Sequence, residues 1–435
     1  MLSRPASDHL GRLTPPVSQL LERVAVSARA ARMTAYLIGG SVRDLLLGRA
    51  TVDLDVVIVG DAVALARALH LDLGGEGVAR LRVHDAFGTA TLLCADGLVL
   101  DLITARHEVY PQPGALPIVT PGTLDDDLRR RDFTINAMAI DLASQGLGAV
   151  LDPLGGRSDL ARGLVRVLHD GSFVDDPTRL LRGIRYQCRL GLAFDPHTIA
   201  LYGAASTAGA LGTVSVQRLS HEFVRLLAEE RAAAMLDQLV DFGLLAQFPQ
   251  PLRWDEHMRR AYARLDELWP SLPATPQRFT LWEARFALLT ASLAPDAARE
   301  AAIGLHLTAG AGLLAEQVAR LYPLVGSQGL PDVVSALGRL LDPFAPAAII
   351  AVAALCERDS VRAGLRYYLT TIRTRLPQLN GDALVELGVP RGPIYRVALQ
   401  ALRDFVRDNA AATLQDERAF LLAWLAAQRA DPEAD

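Results

Sequence analysis

Apolar positions along this chain follow two different rhythms. From about residue 30 to 141 they fall in short runs, "AYLIGG", "LDVVIVG", "TATLLC" and "LVLDLI", rich in Val, Ile, Leu or Thr and bounded by Gly or Asp. Such runs predict buried strands, with helices between them at "SVRDLLLG" and "DAVALARALHL". After Asp152 the period changes. "DPTRLLRGIRYQCRLGL", "VQRLSHEFVRLLAEE" and "IYRVALQALRDFVRDN" carry apolar residues at helical spacing, and Pro and Gly breaks separate them. No repeat of fixed period and no low-complexity segment interrupts this pattern. The expectation is an α/β head over 30–150, preceded by an N-terminal extension and first helix over 1–29. Helices follow over 151–227 and 228–435.

With 435 residues, 51% of them hydrophobic and 21% charged, the chain has the makings of several globular cores. A net charge of -5 argues against a uniformly basic coat for nucleic acid, but leaves room for a local basic groove. All 44 basic residues are arginine. Mechanisms that need a lysine, such as a Walker A loop, a Schiff base or a kinase-type lysine, are therefore excluded. Phosphate contacts fall to arginine forks and backbone amides. A GC-rich genome accounts for the bias itself. Cys94, Cys188 and Cys356 are widely spaced and share no metal-ligand pattern, which fits a reducing cytoplasm. The first residues, "MLSRPASDHLGRLTPP", lack the apolar core of a signal peptide. "FAPAAIIAVAALC" is too short to span a bilayer and reads as a buried helix, so no membrane association is expected.

Candidate chemistry concentrates in "YLIGGSVRDLLLGRATVDLDVVIVG", Tyr36 to Gly60. A strand, the pair Gly39-Gly40 and a helix capped by Ser41 would aim free amides and a helix dipole at a phosphate. The same pattern also makes an ordinary turn. Asp53 and Asp55 stand two apart and so share one face of the strand they open. Like charges this close repel unless a cation lies between them, and Mg²⁺ is commonly held by one or two carboxylates plus substrate phosphates. An N-cap and a turn residue is the plain alternative. Asp101 interrupts the apolar strand "LVLDLI", either as a further ligand or general base beside the pair, or as a strand-end residue. In "DDPTRLLRGIR", Asp176 and Arg179 are expected on one helix face, continued by Arg182 and Arg185. A carboxylate accepts and a guanidinium donates. Together they complement the amino group and ring nitrogen of cytosine or adenine, and not uracil or guanine. A surface ion pair would use the same spacing.

"GGSVRDLLLGRATVDLDVV" resembles the signature of the tRNA nucleotidyltransferase and bacterial poly(A) polymerase family, within the DNA polymerase β-like superfamily. Four further segments resemble its motifs in order: "DDDLRRRDFTINAMAID", "LDPLGGRSDL", "FVDDPTRLLRGIRYQCRLGL" and "VSVQRLSHEFVRLL". "NGDALVELGVPRGPIYRVALQALRDF" is similar to its C-terminal segment. The resemblance implies a nucleotidyltransferase head with a polymerase β-like mixed sheet, and an all-α neck, body and tail. It implies that Asp53 and Asp55 hold catalytic Mg²⁺. Gly40, Arg43 and Arg130 or Arg131 would contact the triphosphate, Asp176 and Arg179 would select the base, and the helical body would bind tRNA.

The expected reaction adds C and A from CTP and ATP to a tRNA 3′ end, with A-only addition, CC-only addition and poly(A) synthesis as alternatives. No protein partner is expected. Two departures stand out: Asp175 where the family usually has Glu, and Tyr186 where it has Phe. The latter change is expected to be harmless. "HEVYPQPGALPIVTPGTLDD" lies where the family has a flexible loop that lets the pocket switch from C to A, and its prolines should stiffen it. Some relatives carry a His-Asp phosphohydrolase. Here His84-Asp85 and His169-Asp170 fall outside that context, and none is expected. His257 is expected to be structural, and Gly388, Gly392 and Pro393 to form a turn into a helix.

Overall fold

Pro15 and Pro16 open the first helix, α1 (Pro15–Ala30), whose Val17, Leu20, Leu21, Val24 and Ala28 are buried at helical spacing. A computed structural model describes residues 13–49, 53–142, 148–271, 279–389 and 391–430. Residues 1–12 of the expected N-terminal extension lie outside these. The chain divides into two compact units, 1–247 and 248–435.

In the first unit β1 (Thr34–Ile38) runs into α2 (Gly39–Leu46), followed by β2 (Asp53–Val59) and α3 (Ala62–Gly77). Next come β3 (Val78–His84), β4 (Thr89–Cys94) and β5 (Val99–Thr104). The sheet is completed by β8 (Ala139–Asp141) and β9 (Val150–Leu151), in the order β3-β4-β5-β2-β1-β8-β9. It is mixed: β2 and β5 are parallel, and the other neighbouring pairs antiparallel. β2 is most exposed at its start. Asp53 is exposed and Asp55 half-buried, whereas Val56, Val57 and Ile58 are fully buried. The parallel register sets Asp55 directly beside Asp101.

Segment 107–126, expected as a loop stiffened by its prolines, contains a hairpin. β6 (Arg106–Val109) pairs with β7 (Ile118–Pro121). It leads into α4 (Leu124–Arg129) through a capping box formed by Thr123 and Asp126. The hairpin's strands have four residues each and expose Val109 and Ile118, so no apolar alternation marks them.

Helices then dominate the first unit. α5 (Ser172–Asp175) is a single turn, α6 (Thr178–Leu190) ends at left-handed Gly191, and α7 (Val216–Ala228) follows. Two short strands, Leu164–Val165 and Ala193–Phe194, pair in parallel here, a pairing absent from the sequence expectation.

Helices are the only regular elements among the described residues of the second unit. Pro346–Leu355 is buried from Ala347 to Leu355, as expected for the apolar stretch "FAPAAIIAVAALC". No single helix among the described residues is long and apolar enough to cross a membrane. Gly388 is left-handed beyond the helix Gly381–Glu386, and Gly392 precedes the helix Pro393–Asp408. His257 takes partners on both ring nitrogens, Glu357 at 3.3 Å and Tyr322 at 3.4 Å.

Candidate active site

β1 pairing ends at Leu37 opposite Val56, one residue short of Asp55. Ser41 fills the gap. Its Oγ donates to the Asp53 carbonyl at 3.0 Å and accepts from the Asp55 N–H at 3.1 Å. The expected capping role is therefore corrected: α2 begins at Gly39, two residues earlier, and Ser41 ties that helix to the start of β2. Gly39 has φ +67°, and a Cβ there would lie 2.7 Å from Arg131 Nη1 and 3.7 Å from Asp55 Oδ2. Both the left-handed backbone and the close approach require glycine.

Burial pushes the Asp55 carboxyl above its ordinary value. Arg131 opposes this, Asp101 and Asp53 reinforce it, and Arg43 opposes it more weakly. Asp101 accepts a short hydrogen bond from the Thr91 hydroxyl. Among the described residues no group of three or more His, Cys, Asp or Glu is arranged to hold a metal. The donors on this face are hard carboxylate oxygens on alternate positions of one strand. They suit a divalent cation that draws its remaining ligands from phosphate and water.

Three arginines flank the acids, and they are held differently. Arg43 is 2% exposed, forks onto Asp44 and donates to Asn136 Oδ1 at 2.5 Å. Arg130 is clamped by Asp127 at 2.6 Å and Glu108 at 3.1 Å. Arg131 pairs with Asp127 at 2.9 Å, but its buried Nε has no hydrogen-bond partner. Asp127 is fully buried. Burial would raise its pKa, yet Arg131 and Arg130 together hold it below the usual range.

Asp176 is not on the helix that carries Arg179. It is extended (φ -135°, ψ 91°) between α5 and α6, and its Oδ1 accepts from Thr178 N and Oγ1 at 3.0 and 2.6 Å. Pro177 interrupts the helical run, and the carboxylate closes a local turn on Thr178. Arg179 does not pair with it. It donates to Ser172 Oγ at 2.9 Å and to the Arg130 carbonyl at 2.8 Å. The surface ion pair that the spacing also allowed is thus not formed.

Arg182 forks onto Asp132 at 2.9 and 2.6 Å. Burial alone would raise Asp132, but Arg182 and a hydrogen bond from Asn136 hold it at about 2. Arg185 reaches Glu222 and Glu229 at 3.4 and 3.5 Å. Tyr186 accepts from Arg182 at 3.0 Å, and the guanidiniums of Arg43, Arg182, Arg185 and Arg189 lie 5.1–5.9 Å from its ring centre.

These groups line one cavity of about 830 Å³. Gly40, Arg43, Asp53, Asp55, Asp101 and Arg130 border it, as do Arg131, Asp176, Arg179, Arg182 and Arg185. Gly39 does not border it and sits behind Arg131 and Asp55. The lining carries ten arginines against seven carboxylates, so a chain of net charge -5 holds a cationic hollow. Sequence reasoning gave Ser41 a capping role in place of its bridge to β2 and missed Asp127, Asp132, Asn136, Tyr110 and Arg218. The run "DDDLRRRD", with acids three and four residues before arginines, carried the signal for Asp127.

Sequence comparison matches residues 35–166 to a family model described as Poly A polymerase head domain. It matches residues 192–253 to one described as probable RNA and SrmB-binding site of polymerase A. An A-adding tRNA nucleotidyltransferase of Halalkalibacterium halodurans is 43% identical over 231 residues, 53% of each chain. A CC-adding tRNA nucleotidyltransferase of Deinococcus radiodurans is 35% identical over 397 residues, 90% of this chain and 89% of that one. Among solved structures, the Thermotoga maritima CCA-adding enzyme complexed with tRNA-CCA superposes with a TM-score of 0.77 at 28% identity, covering 97% of this chain and 99% of that one. The chain spans 47%, 53% and 30% of the lengths of three A-adding relatives.

Proposed function

We propose that this chain, which belongs to the tRNA nucleotidyltransferase and poly(A) polymerase family, adds C and A to the 3′ end of tRNA from CTP and ATP, without a template and with release of pyrophosphate. The observation that carries the reading is the single cavity bordered by the Asp53–Asp55 pair, by Arg131 with its unpartnered Nε, and by Asp176 and Arg179. A nucleoside triphosphate needs those three kinds of group: a metal-binding pair, a phosphate donor and a base-edge donor and acceptor.

Asp53 and Asp55 would hold Mg²⁺, which when bound lowers the pKa of the attacking 3′-hydroxyl and offsets charge on the departing pyrophosphate. Asp101, oriented by Thr91, is the candidate to take the hydroxyl's proton. The Gly40 amide and Arg131 would hold the triphosphate. Arg43 and Arg130, already committed to neighbouring carboxylates and Asn136, would supply field and framework. Asp176 would accept from the exocyclic amine of cytosine or adenine, and Arg179 would donate to the adjacent ring nitrogen. Arg182 and Arg185 line the same wall. We assign the helices beyond 228 to tRNA phosphates, with salt-dependent affinity, and the protein to the cytoplasm.

A-only addition is the second reading. It is favoured by relatives named A-adding at 32–43% identity. Purified protein is incubated with tRNAs ending before, within and just short of CCA, each nucleotide is offered, and the 3′ ends are sequenced. Extension through CCA supports the main reading. Extension only when CC is already present supports A-only addition, and no extension of any tRNA refutes both.

A further inference from the structure

α7 contributes Arg218 and Arg225 to the cavity, and the assigned chemistry uses neither. Arg218 makes two contacts with one guanidinium. Nη2 pairs with Asp176 Oδ1 at 2.7 Å, and Nη1 donates to the Gly114 carbonyl at 2.7 Å. Gly114 lies in the connection between β6 and β7. Its N–H donates to the Val174 carbonyl at 3.1 Å, on α5 just before Asp176. With φ +71°, a Cβ at this position would stand 2.4 Å from Thr213 Oγ1 and 2.6 Å from the Thr213 carbonyl. The hairpin connection is thus hydrogen-bonded to the segment that presents Asp176, and glycine is what lets it sit so close to Thr213, just ahead of α7.

Asp176 is held from one side. The Thr178 N–H, the Thr178 hydroxyl and Arg218 all converge on Oδ1, and among the described residues Oδ2 accepts no hydrogen bond. Three donors on one oxygen fix the carboxylate plane and leave the second oxygen for a ligand.

We propose that Arg218 is a positioning residue that couples the β6–β7 connection to base choice. It holds Oδ1 of Asp176 so that Oδ2 meets the amine of the incoming base, and it does so only while Gly114 is docked beside it. The inference rests on the base-selecting role proposed for Asp176. Displacing the hairpin withdraws one of Arg218's two anchors, frees its guanidinium, and lets the Asp176 carboxylate turn. Neither Arg218 nor Gly114 needs to touch the nucleotide.

The test measures kcat and KM separately for CTP, ATP, UTP and GTP, with tRNAs lacking one, two or three terminal nucleotides, for the parent, Arg218→Ala, Arg218→Lys, Gly114→Ala and the double variant Arg218→Ala with Gly114→Ala. Thermal melting verifies folding. The expected result is a loss of discrimination against U and G of about tenfold or more in Arg218→Ala, the effect of freeing one charged hydrogen-bond partner. Gly114→Ala should move discrimination in the same direction, and the double variant should be no worse than Arg218→Ala. Arg218→Lys, which keeps a cation beside Asp176, should recover part of the loss. Parental discrimination in folded Arg218→Ala and Gly114→Ala overturns the proposal, as does an equal fall in kcat/KM for all four nucleotides. A parent that extends no tRNA sinks the reading under Proposed function and this inference with it.

Discussion

Replacing Ser41 with alanine removes one oxygen and strands two backbone groups. The Asp53 carbonyl and the Asp55 N–H each lose the partner that Ser41 Oγ supplies at 3.0 and 3.1 Å. Ser41 is 2% exposed, so water cannot readily take its place. A buried group left short of a hydrogen bond costs about 1–3 kcal/mol. Two such groups, partly relieved by the remaining sheet bonds, should lower stability by about 2–4 kcal/mol.

The catalytic consequence is separate. Both stranded groups belong to the residues whose carboxylates form the pair, and loss of a supporting partner around a metal site typically costs about 10–100-fold in activity or metal affinity. Single-turnover addition across a Mg²⁺ titration, alongside thermal melting, reads the two effects apart. Ser41→Ala should need more Mg²⁺ and turn over more slowly at saturation, with base preference unchanged. A saturating rate within about threefold of the parent at unchanged Mg²⁺ dependence would refute the reasoning, because β2 would then be held by the sheet alone.

Asp55→Asn should abolish nucleotide addition yet raise the metal-free melting temperature at neutral pH. The folded-state pKa is raised, so ionised Asp55 opposes folding above that pKa, and a neutral isostere relieves it. An equal or lower melting temperature would contradict the burial of that charge. Asp132→Asn should destabilise at pH 7, with the gap to the parent narrowing in acid. A carboxylate held at about 2 stabilises the fold fully above its unfolded pKa near 4, on the order of 2 kcal/mol, and loses that as pH falls toward 2. A gap equal at pH 7 and pH 2.5 would show that the Arg182 pair contributes nothing to it. Asp176→Ala and Arg179→Ala should each admit U and G and weaken C and A incorporation. If both variants exclude U and G as the parent does, the base is chosen elsewhere.

The parts of the molecule legible in advance were those where burial and periodicity agree. β1 and β2 announce themselves by consecutive buried apolar residues, and β4 and β5 by apolar residues that alternate onto one buried face. The carboxylates at the start of β2 stand out because an acid costs most where its neighbours are buried. β6 and β7 could not be read, because they bury little and pair only with each other. Asp176 was misplaced by one turn: helical spacing extends smoothly through it, and only Pro177 marks the break. Tyr186 shows a different gap. Its substitution for Phe looks neutral in sequence, but the hydroxyl accepts from Arg182 at 3.0 Å, a contact that folding alone brings together. Asp132, 50 residues from Arg182, is illegible for the same reason.

The ten arginines around the cavity also limit how the site can be silenced. A guanidinium stays protonated throughout the alkaline range in which a lysine would discharge. The positive field over the bound phosphates should therefore persist as the solution is made basic, and any alkaline decline in activity must arise in another group. Tyr110, pushed up to about 12 chiefly by burial, is a late titrator too. The same composition removes every side-chain amine from the chain, leaving reagents that acylate lysine no side chain to modify here. Dicarbonyl reagents that condense with guanidinium groups would be the effective inactivators, and bound nucleotide should shield Arg131 from them.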